Sequence, residues 1–150
     1  VCDALDTAEN AAGVASGDYT SYSLRANLYW YTGKYDEAIK VCEEGLEASG
    51  GDSDIYRNEA IAYMLKGDYK KANECGKAAY QFSMNYGDLT LDMLNTAALA
   101  AGLAKDDETY KSMQDYLKTY NYEVSSVVTD CLAGKKTVEQ VFITDGGVIS

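Results

Sequence analysis

The sequence predicts an all-α chain of about three stacked helix pairs with capping helices at both ends, on three observations. The stretches Gly33-Lys34-Tyr35-Asp36-Glu37-Ala38 and Gly67-Asp68-Tyr69-Lys70-Lys71-Ala72 share a Gly-x-Tyr-x-x-Ala pattern 34 residues apart. Upstream of each, Tyr22, Ala26 and Tyr29 recur at the same interval as Tyr56, Ala60 and Tyr63. These offsets place each trio on one stripe of a 3.6-residue helix, which is the buried face of the first helix of a pair. The chain also has no proline, so its breaks fall to glycine and to the turns Ser49-Gly50-Gly51-Asp52 and Tyr86-Gly87-Asp88. A repeat period of roughly 20 to 50 residues marks a solenoid, in which no single unit buries its own apolar face and stacked neighbours build a continuous core.

In chain order, residues 3–15 carry Ala4, Leu5, Ala8, Ala11 and Ala12 at helical spacing and are expected to shield the first pair with a small, alanine-rich face. The first repeat spans 19–52 and the second 53–88. A degenerate third covers 89–120: Lys105-Asp106-Asp107-Glu108-Thr109-Tyr110 lies 38 residues after Gly67 instead of 34, and Tyr110 replaces the alanine. Four extra residues are about one helical turn, so the helix running through Gln81 to Asn85 is expected to be one turn longer. Leu94, Ala98 and Ala101 supply the buried stripe of this unit. Residues 121–150 are expected to cap the solenoid. Tyr122 to Leu132 reads as a helix stopped by Gly134, and Thr137-x-x-Gln140 is a capping-box pattern opening a short helix through Phe142 and Ile143, with Val138, Val141 and Phe142 as its apolar face. The alternative for this tail is a short hydrophobic motif offered to another chain.

The repeat resembles the tetratricopeptide family, a helix-turn-helix with large residues at positions 4 and 11, small ones at 8 and 20, and an aromatic at 17. Tyr22, Ala26, Tyr29, Tyr35 and Ala38 stand there in the first repeat, and Tyr56, Ala60, Tyr63, Tyr69 and Ala72 in the second. The small positions permit close approach of the two helices of a pair. The resemblance implies a right-handed superhelix with a concave groove lined by the first helices. Departures are Cys42 and Gly76 where the family prefers a large aromatic, and Gly45 at mid-helix.

Composition excludes several function classes. Thirteen basic against twenty-four acidic residues leave a net charge of −11, which opposes nucleic acid and anionic lipid surfaces. The longest apolar run, Ala97 to Ala104, is far short of the ~20 residues that span a bilayer, so no direct membrane insertion is expected. A soluble chain is expected, cytoplasmic or exported after removal of a segment upstream of Val1. Cys2, Cys42, Cys75 and Cys131 form no Cys-x-x-Cys pair and there is no histidine to complete a zinc site. Cys42 and Cys75 fall at nearly equivalent places and read as core fillers, with a disulfide between them as the open alternative. Without histidine the commonest general base is missing. Asp52-x-Asp54 fails as a calcium loop because Arg57 and Tyr63 occupy its required glycine and glutamate positions. No phosphate-cradling glycine loop is present. The expectation is a non-enzyme with no cofactor or metal.

What the resemblance implies for binding is a groove lined by Ser23, Asn27, Trp30 and Tyr31 from the first repeat, Arg57, Asn58, Ile61 and Met64 from the second, and Asn95 and Leu99 from the third. The chaperone-binding members grip a carboxylate with lysines and an arginine; Ser23, Asp92 and Thr96 stand in those places here. An acidic residue repels such a ligand, so the carboxylate clamp is rejected. The expectation is instead a largely apolar peptide or protein segment, with Trp30, Ile61, Met64 and Leu99 as anchors and the asparagines pairing with its backbone. The competing expectations are a structural or self-associating segment of a longer solenoid or secreted repeat protein, including a homodimer through a terminal helix, and burial of Trp30, Ile61 and Met64 beneath the terminal helices.

Overall fold

A computed structural model describes residues 19–150. The helix expected over 3–15, and Cys2, lie outside the described residues. Within them the chain is all-helical: α1 (Thr20–Tyr31), α2 (Tyr35–Ser49), α3 (Ser53–Lys66), α4 (Tyr69–Tyr86), α5 (Leu91–Leu103), α6 (Asp107–Thr119), α7 (Ser126–Leu132) and a π-helical turn over Gln140–Thr144.

Local chemistry sets the helix boundaries. Asp52, Asp68, Thr90, Asp106 and Ser125 each accept a hydrogen bond from a backbone N–H in the first turn of α3 to α7, satisfying donors that have no intrahelical partner. The repeated glycine has a single geometric job. Gly33 and Gly67 adopt φ of +85° and +93°, and the following N–H returns to the carbonyls of Tyr29 and Tyr63, each at 2.9 Å, closing the helix end. In the third unit Asp106 N–H makes the same bond to Ala101 at 2.9 Å, but the left-handed residue is Lys105, with φ +59°. α4 is 18 residues long against 15 for α2, which absorbs most of the displacement of the third unit.

Consecutive helices from α1 to α6 pack as antiparallel neighbours, and α7 returns to pack on α5. The first helices also pack on one another, α1 with α3 and α3 with α5. They therefore form one layer and the second helices an outer one. Small residues permit the approach. Ala26, Ala38, Ala60, Ala72 and Ala98 are fully buried. A Cβ at Gly45 would come within 2.9 Å of Tyr22, and one at Gly76 within 3.4 Å of Ala97, so both departures from the family pattern are contact points between helices. Tyr110 is half-buried and bridges two apolar clusters, one against Leu94, Ala98 and Met113 and the other against Leu99 and Val128.

Two sequence expectations change. The helix read from Tyr122 starts only at Ser126, because Asn121 takes a left-handed turn (φ +64°) and residues 122–125 are not helical. Cys42, Cys75 and Cys131 are free and buried, which closes the disulfide alternative for Cys42 and Cys75.

Candidate functional site

The inner layer presents Trp30 from α1, Arg57, Asn58, Ile61 and Met64 from α3, and Asp92, Asn95 and Leu99 from α5. The structure brings these together but covers most of them with the chain's own residues 125–149. Trp30, Ile61, Met64 and Leu99 share one buried cluster with Val128 and Cys131 of α7, Val141 and Phe142 of the π turn, and Ile149. Trp30 meets Phe142 edge-on, with ring centroids 6.2 Å apart, and its Nε1–H donates to Asn58 Oδ1 at 2.9 Å. The burial expected as the competing reading for Trp30, Ile61 and Met64 is the observed arrangement.

The asparagines do not serve as free readers of a partner's backbone. Asn58 accepts from Trp30 and donates to the Asp54 carbonyl at 2.9 Å, which holds the indole in place. Asn95 donates to the Leu91 carbonyl and accepts the Ser125 N–H at 2.9 Å, fixing the entry to α7. Each amide is committed at both its oxygen and its nitrogen to an internal partner, and at 6% and 1% exposure neither is presented to a ligand.

Main-chain recognition falls instead to a charged pair. Arg57 Nε lies 2.9 Å from Asp92 Oδ2, with the two side chains 13% and 23% exposed, and Arg57 Nη2 also reaches Asp92 Oδ1 at 3.2 Å. The remaining valences point at the segment lying over them. Arg57 Nη2 donates to the Gly147 carbonyl at 2.7 Å, and the Ile149 N–H donates to Asp92 Oδ1 at 2.8 Å. Exposure alternates along this stretch, with Gly147 and Ile149 buried and Val148 and Ser150 exposed, following a left-handed backbone at Gly146 and Gly147 with φ of +94° and +77°. Such charge-assisted bonds are among the stronger ones available to a protein. Asp92, which stands where a carboxylate clamp needs a cation, is thus an acceptor for a backbone N–H.

Of the other expected groove residues, Ser23 and Asn27 are half-buried and Tyr31 is 50% exposed, beside an equally exposed Leu24. Among the described residues, this stripe along α1 is the more exposed part of the inner layer. Sequence reading missed a second concavity: Leu89, Leu91 and Leu94 with Tyr116, Tyr120 and Tyr122 enclose an apolar cleft of about 240 Å³ between the start of α5 and the end of α6. The signal was the i, i+4 pair Tyr116 and Tyr120, whose rings lie 5.3 Å apart.

One ionisable cluster lies elsewhere, between α2, α3 and α4. The Cys75 thiol donates to Glu59 Oε1 at 2.8 Å, and Glu59 Oε2 is buried without a partner. Burial pushes the Glu59 carboxyl up, with Glu43 adding to the effect, and the thiols of Cys42 and Cys75 are raised by burial and by Glu59. Raised thiols stay protonated and are poor nucleophiles. Among the described residues no group of three metal-ligating side chains converges, and no helix is long and apolar enough to cross a membrane. Compared with known proteins, the chain matches no family model, no curated protein and no solved structure.

Proposed function

We propose that this chain is a non-enzymatic scaffold of the tetratricopeptide type that binds a largely apolar protein segment in extended form on the inner face of α1, α3 and α5. The observation that carries the reading is that this face already holds a short segment, residues 147–149, by its main chain. The Arg57–Asp92 pair supplies one donor and one acceptor, and Ile149 fills an apolar seat. This division of labour, with backbone bonds for affinity and alternate side chains for selectivity, is how extended peptides are recognised elsewhere. A second reading, self-association within a longer solenoid, is favoured by the exposed aromatic edge of Tyr86, Tyr120 and Tyr122, which are 75%, 60% and 50% exposed.

The test is peptide display against the full chain, followed by titration calorimetry of the enriched sequences on the wild type and on Arg57→Ala. Enrichment of sequences with aliphatic residues at alternate positions, and at least tenfold weaker binding to the variant, is expected. Equal affinity for a folded Arg57→Ala chain removes the inner face from consideration.

A further inference from the structure

We propose that residues 146–150 are an exchangeable strap, a built-in competitor for the inner face, and that the partner segment shares its pattern of a small residue two positions before a branched aliphatic one. The proposal rests on the reading of the inner face as a peptide site and adds what occupies it and what must leave.

Past the left-handed Gly147, the strap is recognised through main-chain groups that another chain can also present. In an extended segment the carbonyl of one residue and the N–H of the residue two further on point to the same side. Those are the two groups taken here, Gly147 C=O by Arg57 and Ile149 N–H by Asp92. Selectivity resides in two seats. Ile149 is 1% exposed, whereas Val148 between them is 72% exposed and unread. At Gly147 a side chain meets a wall: an added Cβ would lie 3.1 Å from the Phe142 carbonyl and 3.6 Å from Trp30, at a φ of +77°.

Attachment of the strap is thin compared with the turn that precedes it. The turn is held by the reciprocal Thr137–Gln140 capping bonds at 2.8 and 3.1 Å, by the Lys136–Asp145 ion pair at 2.7 Å, and by buried Val141 and Phe142. Beyond it, among the described residues, the strap is held by the Ile149 side chain and three main-chain bonds: those to Arg57 and Asp92, and one from the Gly147 N–H to the Val141 carbonyl at 3.2 Å. The two parts are joined by Gly146 and Gly147, both at positive φ, where glycine permits the chain to swing away without steric cost. Departure leaves Arg57 and Asp92 paired with each other, so the vacated face exposes no orphaned charge, and an incoming segment meets a preformed donor and acceptor.

The experiment uses the full chain as wild type, Ile149→Asp and Ile149→Asp/Arg57→Ala, each checked for folding by circular dichroism. The probe is a fluorescent peptide with the sequence of residues 144–150, blocked at both ends, followed by anisotropy. Ile149→Asp is expected to bind it at least tenfold more tightly than the wild type, with binding lost in the double variant and with a peptide carrying Asp in place of its Ile. Hydrogen exchange on the wild type gives a readout independent of any variant: the Ile149 amide is expected to exchange at least a hundredfold faster than that of Ile61. Equal peptide affinity for wild type and Ile149→Asp, or an Ile149 amide as slow as Ile61, overturns the strap. Dimerisation of the wild type that Ile149→Asp abolishes overturns it in favour of a second copy as occupant. Displayed peptides that bind through Arg57 while the strap peptide does not would leave the proposed function standing and overturn this inference alone.

Discussion

At the scale of single residues, the functional reading turns on which polar side chains are presented to an incoming segment. Asn58 and Asn95 sit where a sequence reading puts peptide-binding amides, yet each is consumed by a neighbour, the Trp30 indole and the Ser125 N–H respectively. Spacing places a residue on a face but does not show which partners reach it first, so the roles passed to Arg57 and Asp92, three residues before Asn95. Glu59 gives a pH prediction. Its carboxyl is raised above the ordinary value of 4.5, first by burial, so the folded chain holds that proton more tightly than the unfolded one. Stability contributed by this site is therefore present at acidic pH and falls as pH rises above 4.5. Glu59→Gln keeps the shape and removes the charge. Thermal melts are expected to coincide with wild type near pH 4, and at pH 8 the variant is expected to be more stable by on the order of 1 kcal/mol, the scale of an unsatisfied buried polar group. A constant difference between the two across that range would rule out a raised Glu59.

At the scale of elements, the helix pairs were legible because their cause is local. A trio at offsets 0, 4 and 7 fixes the buried stripe, and a glycine with an aspartate or lysine after it fixes the stop. The third unit keeps the backbone geometry of that stop without its glycine. Lys105 holds a left-handed conformation that costs a side-chain-bearing residue about 1 kcal/mol, and nothing forces lysine there. Lys105→Gly is accordingly expected to raise the unfolding free energy in urea by about 1 kcal/mol, with an unchanged dependence on denaturant; a loss of stability would show that Lys105 makes a contact worth more than its strain. The elements beyond α6 were read less well. Tyr122 to Leu132 has helical spacing, but Asn121 turns the chain left-handed and the Ser125 cap delays α7 to Ser126. The Thr137–Gln140 capping box was readable from its residue types, and both of its bonds form, whereas the path of residues 146–150 over the inner face depends on Arg57 and Asp92, which are distant in sequence.

At the scale of the whole molecule, the first helices form an inner layer and the chain folds back over it. That return explains why the candidate groove residues divide into two sets. Those on α3 and α5, with Trp30, are buried under α7, the π turn and Ile149, and Ser23, Asn27 and Tyr31 lie along a more exposed stripe of α1. The sequence carried a trace of this arrangement: Gly102 stands on the inner face where Leu132 packs, and a Cβ there would come within 2.6 Å of it. Such a contact needs two segments thirty residues apart to be placed together, which no periodicity encodes. The most direct test of the inner face as a peptide site is an NMR titration of the full-length Ile149→Asp chain, labelled with ¹⁵N, with the peptide of residues 144–150. The Arg57 Nε–H signal and the amides of Ile61 and Leu99 are expected to shift together and saturate at one peptide per chain. Saturating shifts confined to Tyr116, Tyr120 and Tyr122 would place recognition in the tyrosine-lined cleft and contradict the inner-face reading.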